Sequence, residues 1–326
     1  MPKKKKKGYA KYGYLFAMPF MIAYLIFSLY PTLYTMIIGF TDLKGIGKTS
    51  FRFLTEDIFA NYRTILTSPT FQLALKNTVV MWICNFVPQL LLALLLTAWF
   101  TDRRFKIPGE GAFKVLFYMP NIITAATVAI LFYALFGYPM GPVNSLLQKL
   151  GILSEPFNFL VKKTISRGIV IFIQTWMWYG YTMIILISGV LGISTEIFEA
   201  AEVDGANGWQ TFWMITLPNI KTILLFTLVT SLIGGLNMFD IPKLFMQGGP
   251  DNATLTLGVF IYNLAFSRGY LYNRASAASM ITFMIIIAAS AVLFWTLRDK
   301  DEEALRKEIK RRNKPVKAAK RKEAAS

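Results

Sequence analysis

The chain of 326 residues has no histidine and a single cysteine, Cys84. A disulfide within the chain is therefore excluded, as is a Cys/His metal cluster. Every catalytic arrangement that uses an imidazole as base, Ser-His or Cys-His, is excluded with them. Charge is scarce too, at 16% of residues, against about a quarter in ordinary soluble domains. Carboxylates are nearly missing from the apolar stretches, with only Asp240 close to one. Pumps driven by protons or sodium normally keep ionisable groups inside the bilayer, where a coupling ion needs a charged partner. An external energy source fits this chain better. A phosphate-binding loop is lacking as well. "GIGKTS" (Gly45–Ser50) carries Gly-Lys-Thr, but the full pattern requires glycine at position 42, which is Asp42. Neither a cofactor nor nucleotide hydrolysis by this chain is expected, so the reading is of a transport subunit and not an enzyme.

What the chain has is apolar length. Hydrophobic residues make up 55% and the mean hydropathy is +0.46. A bilayer core of about 30 Å needs roughly 20 apolar residues as a helix. Six stretches meet that length, near 12–40, 75–100, 113–136, 168–191, 222–240 and 275–297. The fold class is thus all-α, a polytopic membrane protein with six transmembrane helices. The first stretch follows five lysines, yet it is too long for a signal peptide and no small-residue cleavage site closes it. Pro31 is expected to bend it or end it early.

The net charge of +17 sits in Lys3–Lys7, in "TDRRFK" (Thr101–Lys106) and in the tail beyond Arg298. These runs flank apolar spans and do not interleave with aromatic residues, which points to topology signals and membrane lipid rather than nucleic acid. With the N-terminus in the cytoplasm, inside segments hold 23 lysines and arginines against 12 outside. Both termini are then cytoplasmic, and residues 192–221 face the cytoplasm as well. Three segments follow: a basic N-terminus at 1–11, a six-span domain at 12–297, and a disordered basic tail at 298–326.

Between the fourth and fifth spans lies "EAAEVDGANGWQTFWMITLP" (199–218). Thr195 can cap a helix whose first turns hold Glu196 and Glu199. Ala200 and Ala201 leave a flat surface, and Gly205 and Gly208 break the helix. Trp209, Phe212, Trp213 and Thr216 recur at helical spacing as one bulky stripe, which Leu217-Pro218 should stop. Physics alone leaves two readings, an interfacial turn joining two spans or a docking surface. Glu199, Ala200, Ala201, Gly205, Ile215, Leu217 and Pro218 resemble the EAA motif of ABC importer permeases at all seven fixed positions across 20 residues.

The likeness extends to "LKNTVVMWI" (Leu75–Ile83), to Asn237–Phe266 with Gly248-Gly249-Pro250, and to "RASAASM" (Arg274–Met280). It covers nearly all of residues 10–297 and is similar to the maltose and glycerol-phosphate type of binding-protein-dependent carbohydrate importers. This resemblance implies a type I importer permease fold in the bacterial plasma membrane. The implied partners are a second permease in a heterodimer, an ABC ATPase dimer and an extracellular sugar-binding protein. Residues 192–221 would be the coupling loop, with Glu199 meeting a basic residue of the ATPase. Unlike the enterobacterial maltose subunit, no large domain interrupts the first external loop.

"QTWMWYGY" (Gln174–Tyr181) places aromatic residues near the middle of the fourth span, whereas such residues usually mark the interfaces. Aromatic faces suit the apolar faces of sugar rings, and Gln174 can bond hydroxyls, but ordinary helix packing explains the cluster equally well. The resemblance favours substrate contacts from Trp176, Tyr179, Gly180, Met183 and Asn237. Interhelical hydrogen bonds account for Asn85, Gln89 and Asn121 without a ligand. A neutral saccharide is the first reading of the cargo. A polyol or glycerol-phosphate ester, with Lys243 or a partner supplying positive charge, and a passive channel or membrane enzyme remain alternatives.

Overall fold

The computed structural model describes residues 10–104, 107–267 and 269–297. The basic N-terminal run and the tail from 298 onward, with the disorder expected of it, lie outside the described residues. The helices relevant here are α1 (Tyr12–Ile38), α2 (Ala60–Leu66), α3 (Pro69–Thr101), α4 (Glu110–Ile122), α5 (Ala125–Leu135), α6 (Pro142–Lys149), α7 (Lys163–Leu191), α8 (Thr195–Val203), α9 (208–219), α10 (Lys221–Leu236), α11 (Asp240–Met246), α12 (Leu257–Ser267) and α13 (Tyr272–Leu297). Among the described residues strand pairing is confined to one isolated bridge, Thr41 to Phe53.

Five paths are long and apolar enough to cross a bilayer: α1, α3, α7, α10 continued into α11, and α13. The third expected span is two helices, α4 and α5, bent by 89° at their junction. Counted as one crossing, the pair brings the total to six. Pro120 lies three residues before the junction, and the Thr124 hydroxyl accepts from the Thr127 amide to start α5. Asn121 ties the bend to α7 by donating to the Met177 carbonyl at 3.2 Å. Hydropathy along the sequence runs through this corner without a mark, because both arms are apolar.

Pro31 does not end α1. The helix widens into a π turn over Leu25–Leu29 just before the proline and continues to Ile38. A widened turn can absorb the missing amide and the ring of proline. α1 is nearly free of this chain, with 6% of its apolar window buried, against 56% for α7. α7 is the hub. Its Ile169, Val170, Ile173 and Met177 pack with Met81 of α3, Val128 and Phe132 of α5, and Ile241 and Phe245 of α11. Lower on α7, Met183, Leu186, Ile187 and Val190 meet Ala93, Leu96 and Phe100 of α3.

Polar groups fix the crossings. Gln89 Nε2 donates to Thr182 Oγ1 at 2.7 Å, joining α3 to α7. At the opposite end Asn77 Nδ2 donates to the carbonyls of Asn252 (2.8 Å) and Leu255 (3.1 Å), and Thr78 Oγ1 accepts from the Leu257 amide. Arg167 closes this knot, donating to Asn77 Oδ1 at 2.9 Å and to the Ala253 carbonyl at 3.0 Å. The loop that carries Gly248-Gly249-Pro250 is thereby pinned to α3 and α7. The bonds from Asn77, Thr78 and Arg167 to Asn252, Ala253, Leu255 and Leu257 satisfy backbone carbonyls and an amide that a loop buried at this depth would otherwise leave unpaired.

Candidate substrate cavity and coupling loop

Glycines bring the helices close. A Cβ on Gly180 would overlap the Phe117 carbonyl oxygen and lie 2.8 Å from its carbon and 2.9 Å from Tyr118 Cα. The backbone of α4 therefore rests directly on α7 there. Gly235 of α10 meets the Trp82 indole in the same way, with its Cβ position 2.9 Å from Nε1. Trp82 Nε1 in turn donates to Ser231 Oγ at 3.1 Å. These contacts frame a cavity of about 300 Å³ between α3, α7, α10 and the break that precedes α11.

Gln174, Met177, Trp178, Tyr181, Thr182 and Ile185 form the α7 wall. Their spacing follows one helical face. Trp178 and Tyr181 are half-exposed and meet edge to face, with centroids 5.7 Å apart and planes at 90°. Asn85 and Gln89 line the cavity from α3, and Thr227, Thr230 and Ser231 from α10. Of the expected substrate residues, Asn237 borders the cavity, at the break between α10 and α11. The other four are placed elsewhere. Trp176 packs edge-on against Phe132 at 5.7 Å, Tyr179 against Phe117 at 6.4 Å, Met183 is fully buried, and Gly180 lies under α4. The face of α7 that borders the cavity carries 174, 178, 181 and 182, about half a helical turn from 176, 179, 180 and 183. Periodicity finds such a face; it does not say which neighbour the face meets.

The fifth expected span also differs in detail. It runs on through Asn237–Phe239, where the helix breaks, and resumes as α11 to Met246. Asp240 is thus inside the apolar path, not at its outer end. The break is held from α12: Thr256 Oγ1 donates to the Met238 carbonyl at 2.7 Å, and Gly258 lets that carbonyl approach.

The segment 192–221 has the expected helix, bend and helix. α8 ends in a turn with Gly205 at φ +77°, where the Ala206 amide donates to Ala201 O and the Gly205 amide to Glu202 O. This is the paired-bond C-cap that favours glycine. Asn207 and Gln210 then exchange side-chain and backbone bonds of 2.9 and 2.8 Å as a capping box for α9. Ser194, not Thr195, occupies the position before α8. The bulky stripe divides: Phe212 and Thr216 are buried, whereas Trp209 and Trp213 face outward with rings 5.4 Å apart. A π turn over Thr211–Thr216 shifts the register between the two groups and lets the helix pass Leu217-Pro218 to end at Asn219.

Glu199, Ala200, Gly205 and Pro218 are exposed, Ile215 and Leu217 are half-buried, and Ala201 is buried. Among the described residues nothing lies within 4 Å of a Cβ built on Gly205. The loop is anchored from the α3–α4 turn. Arg104 Nη2 donates to the Ala206 carbonyl at 2.6 Å, Asp102 packs against Gly208, and the Arg103 guanidinium sits 5.0 Å above the Phe198 ring. None of these three anchors is predictable from the local pattern, because they join segments about a hundred residues apart.

Residues 74–300 match the family described as binding-protein-dependent transport system inner membrane component. The lactose transport system permease protein LacF of Rhizobium radiobacter is 31% identical over 297 residues, covering 90% of this chain and 97% of that protein. The arabinooligosaccharides transport system permease protein AraP of Bacillus subtilis is 30% identical, covering 87% of each. The multiple sugar-binding transport system permease protein MsmF of Streptococcus mutans is also 30% identical, covering 84% of this chain and 91% of its own. The fold matches that of a chain in the crystal structure of a bacterial ABC transporter involved in the import of the acidic polysaccharide alginate, with a TM-score of 0.75, 24% identity, and 90% and 97% of the two chains covered. With its family match spanning most of its length, the chain belongs to the binding-protein-dependent transport system inner membrane components and is a permease subunit of an ABC importer, a transport component and not an enzyme.

Proposed function

We propose that this permease is one of two unlike membrane subunits of a carbohydrate importer and that its cargo is a neutral saccharide delivered by an extracellular binding protein. The observation that carries the reading is the cavity wall. There the half-exposed rings of Trp178 and Tyr181 stand beside the amides of Asn85, Gln89, Gln174 and Asn237. Aromatic faces take the C–H faces of a sugar ring, and neutral amides exchange hydrogen bonds with its hydroxyls at little desolvation cost. Relatives named for lactose, arabinooligosaccharides and multiple sugars support the same class. In this reading Trp178, Tyr181, Gln174 and Asn237 contact the sugar. Trp176, Tyr179, Gly180 and Met183 hold α7 in position for them.

Glu199, Ala200, Ala201, Gly205, Ile215, Leu217 and Pro218 belong to the surface that meets an ATPase dimer, with both chain termini on the same cytoplasmic side. Exposed Glu199 and the open space over Gly205 support it. Nucleotide binding favours the closed ATPase, and the coupling loop passes that bias to the helices as a shift between two states. Reconstitution of the assembled importer with labelled neutral oligosaccharides tests the cargo: uptake must require ATP and the binding protein. Val203, 88% exposed on the coupling loop, tests the orientation. A Val203→Cys variant in a Cys84→Ser background should react with membrane-impermeant maleimide only when the cytoplasmic face is open. Labelling from outside intact cells would reverse the topology.

A further inference from the structure

We infer that Asp240 is the charge selector of the translocation cavity, which it holds negative against anionic sugars. Asp240 is the sole charged residue among those described that line the cavity. Its direction is fixed from both sides: Met238 and Ile241 are buried at 5% and 2%, and the break between them is clamped by Thr256. The carboxylate is exposed to the cavity and has no ion pair or hydrogen bond among the described residues. The nearest cation in sequence, Lys243, is turned away. Its Nζ donates to Asn263 Oδ1 at 3.0 Å and lies 4.5 Å from the Tyr262 ring centroid. Arg167 is committed to Asn77 and Ala253 at the end of the knot.

An unpaired carboxylate in a walled cavity focuses its field into the space where a substrate passes. A uronate or sugar phosphate meets repulsion there, whereas a neutral sugar gains a strong hydrogen-bond acceptor for its hydroxyls. The consequence for cargo rests on the carbohydrate reading above; the negative potential does not.

The test therefore measures the potential without any substrate. In the assembled importer with Cys84→Ser, an Asn237→Cys reporter lies three residues from position 240, at most about 11 Å of chain. The rates of its modification by a cationic and an anionic methanethiosulfonate of similar size are compared. Asp240 should hold the cation-to-anion rate ratio above that of a free thiol, and Asp240→Asn should lower it by about tenfold. Asp240→Glu, which keeps the charge, should retain the high ratio. A ratio unchanged by Asp240→Asn, or lowered equally by Asp240→Glu, overturns the inference. Failure of ATP-dependent sugar uptake by the importer with Asn237 and Asp240 both intact, alongside a normal reagent ratio in the reporter variant, would count against the carbohydrate reading alone.

Discussion

Two glycine-to-alanine changes on α7 separate packing from helix propensity. Both Gly168 and Gly180 lie inside the same helix, so each Gly→Ala change gains about 0.8–1 kcal/mol of backbone propensity. Among the described residues nothing lies within 4 Å of the Gly168 Cβ position, and that gain is realised. At Gly180 the added methyl overlaps the Phe117 carbonyl, and its neighbours at 2.8 and 2.9 Å are backbone atoms that no rotamer can move. α4 must shift bodily, and Asn121, which ties α4 to α7, must stretch or break its bond to Met177. Overpacking of this kind costs about 1–3 kcal/mol. The propensity gain is common to both variants, so the difference between them is the steric cost alone. Thermal unfolding of the purified assembly should place Gly180→Ala a few degrees below Gly168→Ala, at about 1.5 °C per kcal/mol for a chain of 326 residues. Equal melting temperatures, or a lost uptake in Gly180→Ala with no thermal shift, would refute the packing argument and return Gly180 to the substrate.

Other expectations follow from single contacts. Gly205→Ala forces an alanine to φ +77°, at about 1–2 kcal/mol, so sugar uptake should fall while ATP hydrolysis by the complex continues; tightly coupled transport in this variant would exclude a mechanical role for the turn. Gln89→Ala and Thr182→Ala in a double-mutant cycle should show a coupling of about 0.6 kcal/mol and no more than about 1.7, the range for hydrogen bonds between membrane helices. Arg167→Met removes the bonds to Asn77 and Ala253, and hydrogen exchange across 247–256 should accelerate; protection at the wild-type level would mean that Asn77 alone pins the loop. Trp178→Ala should raise the saccharide concentration needed for half-maximal uptake about tenfold, the affinity equivalent of about 1.4 kcal/mol, whereas Trp176→Ala should act through thermal stability.

The helix, bend and helix of residues 192–221 are legible in the sequence because their signals are local. Gly205 is required where the chain turns left-handed, Asn207 and Gln210 cap each other three residues apart, and both are written within twenty residues. The apolar runs are equally legible, since hydropathy and length are properties of a stretch taken alone. The sequence by itself thus determined the membrane class, the helical spans and the bent, exposed linker. Only tertiary structure decided which face of α7 looks into the cavity, that the third span turns a corner of 89°, and that Asp240 stands within the apolar path beside that cavity. The reason is physical. A helix repeats every 3.6 residues whatever surrounds it, so its pattern reports that a face is special and not what the face touches. That is settled by where α4 can approach Gly180, and by a hydroxyl eighteen residues away holding Met238 in the break.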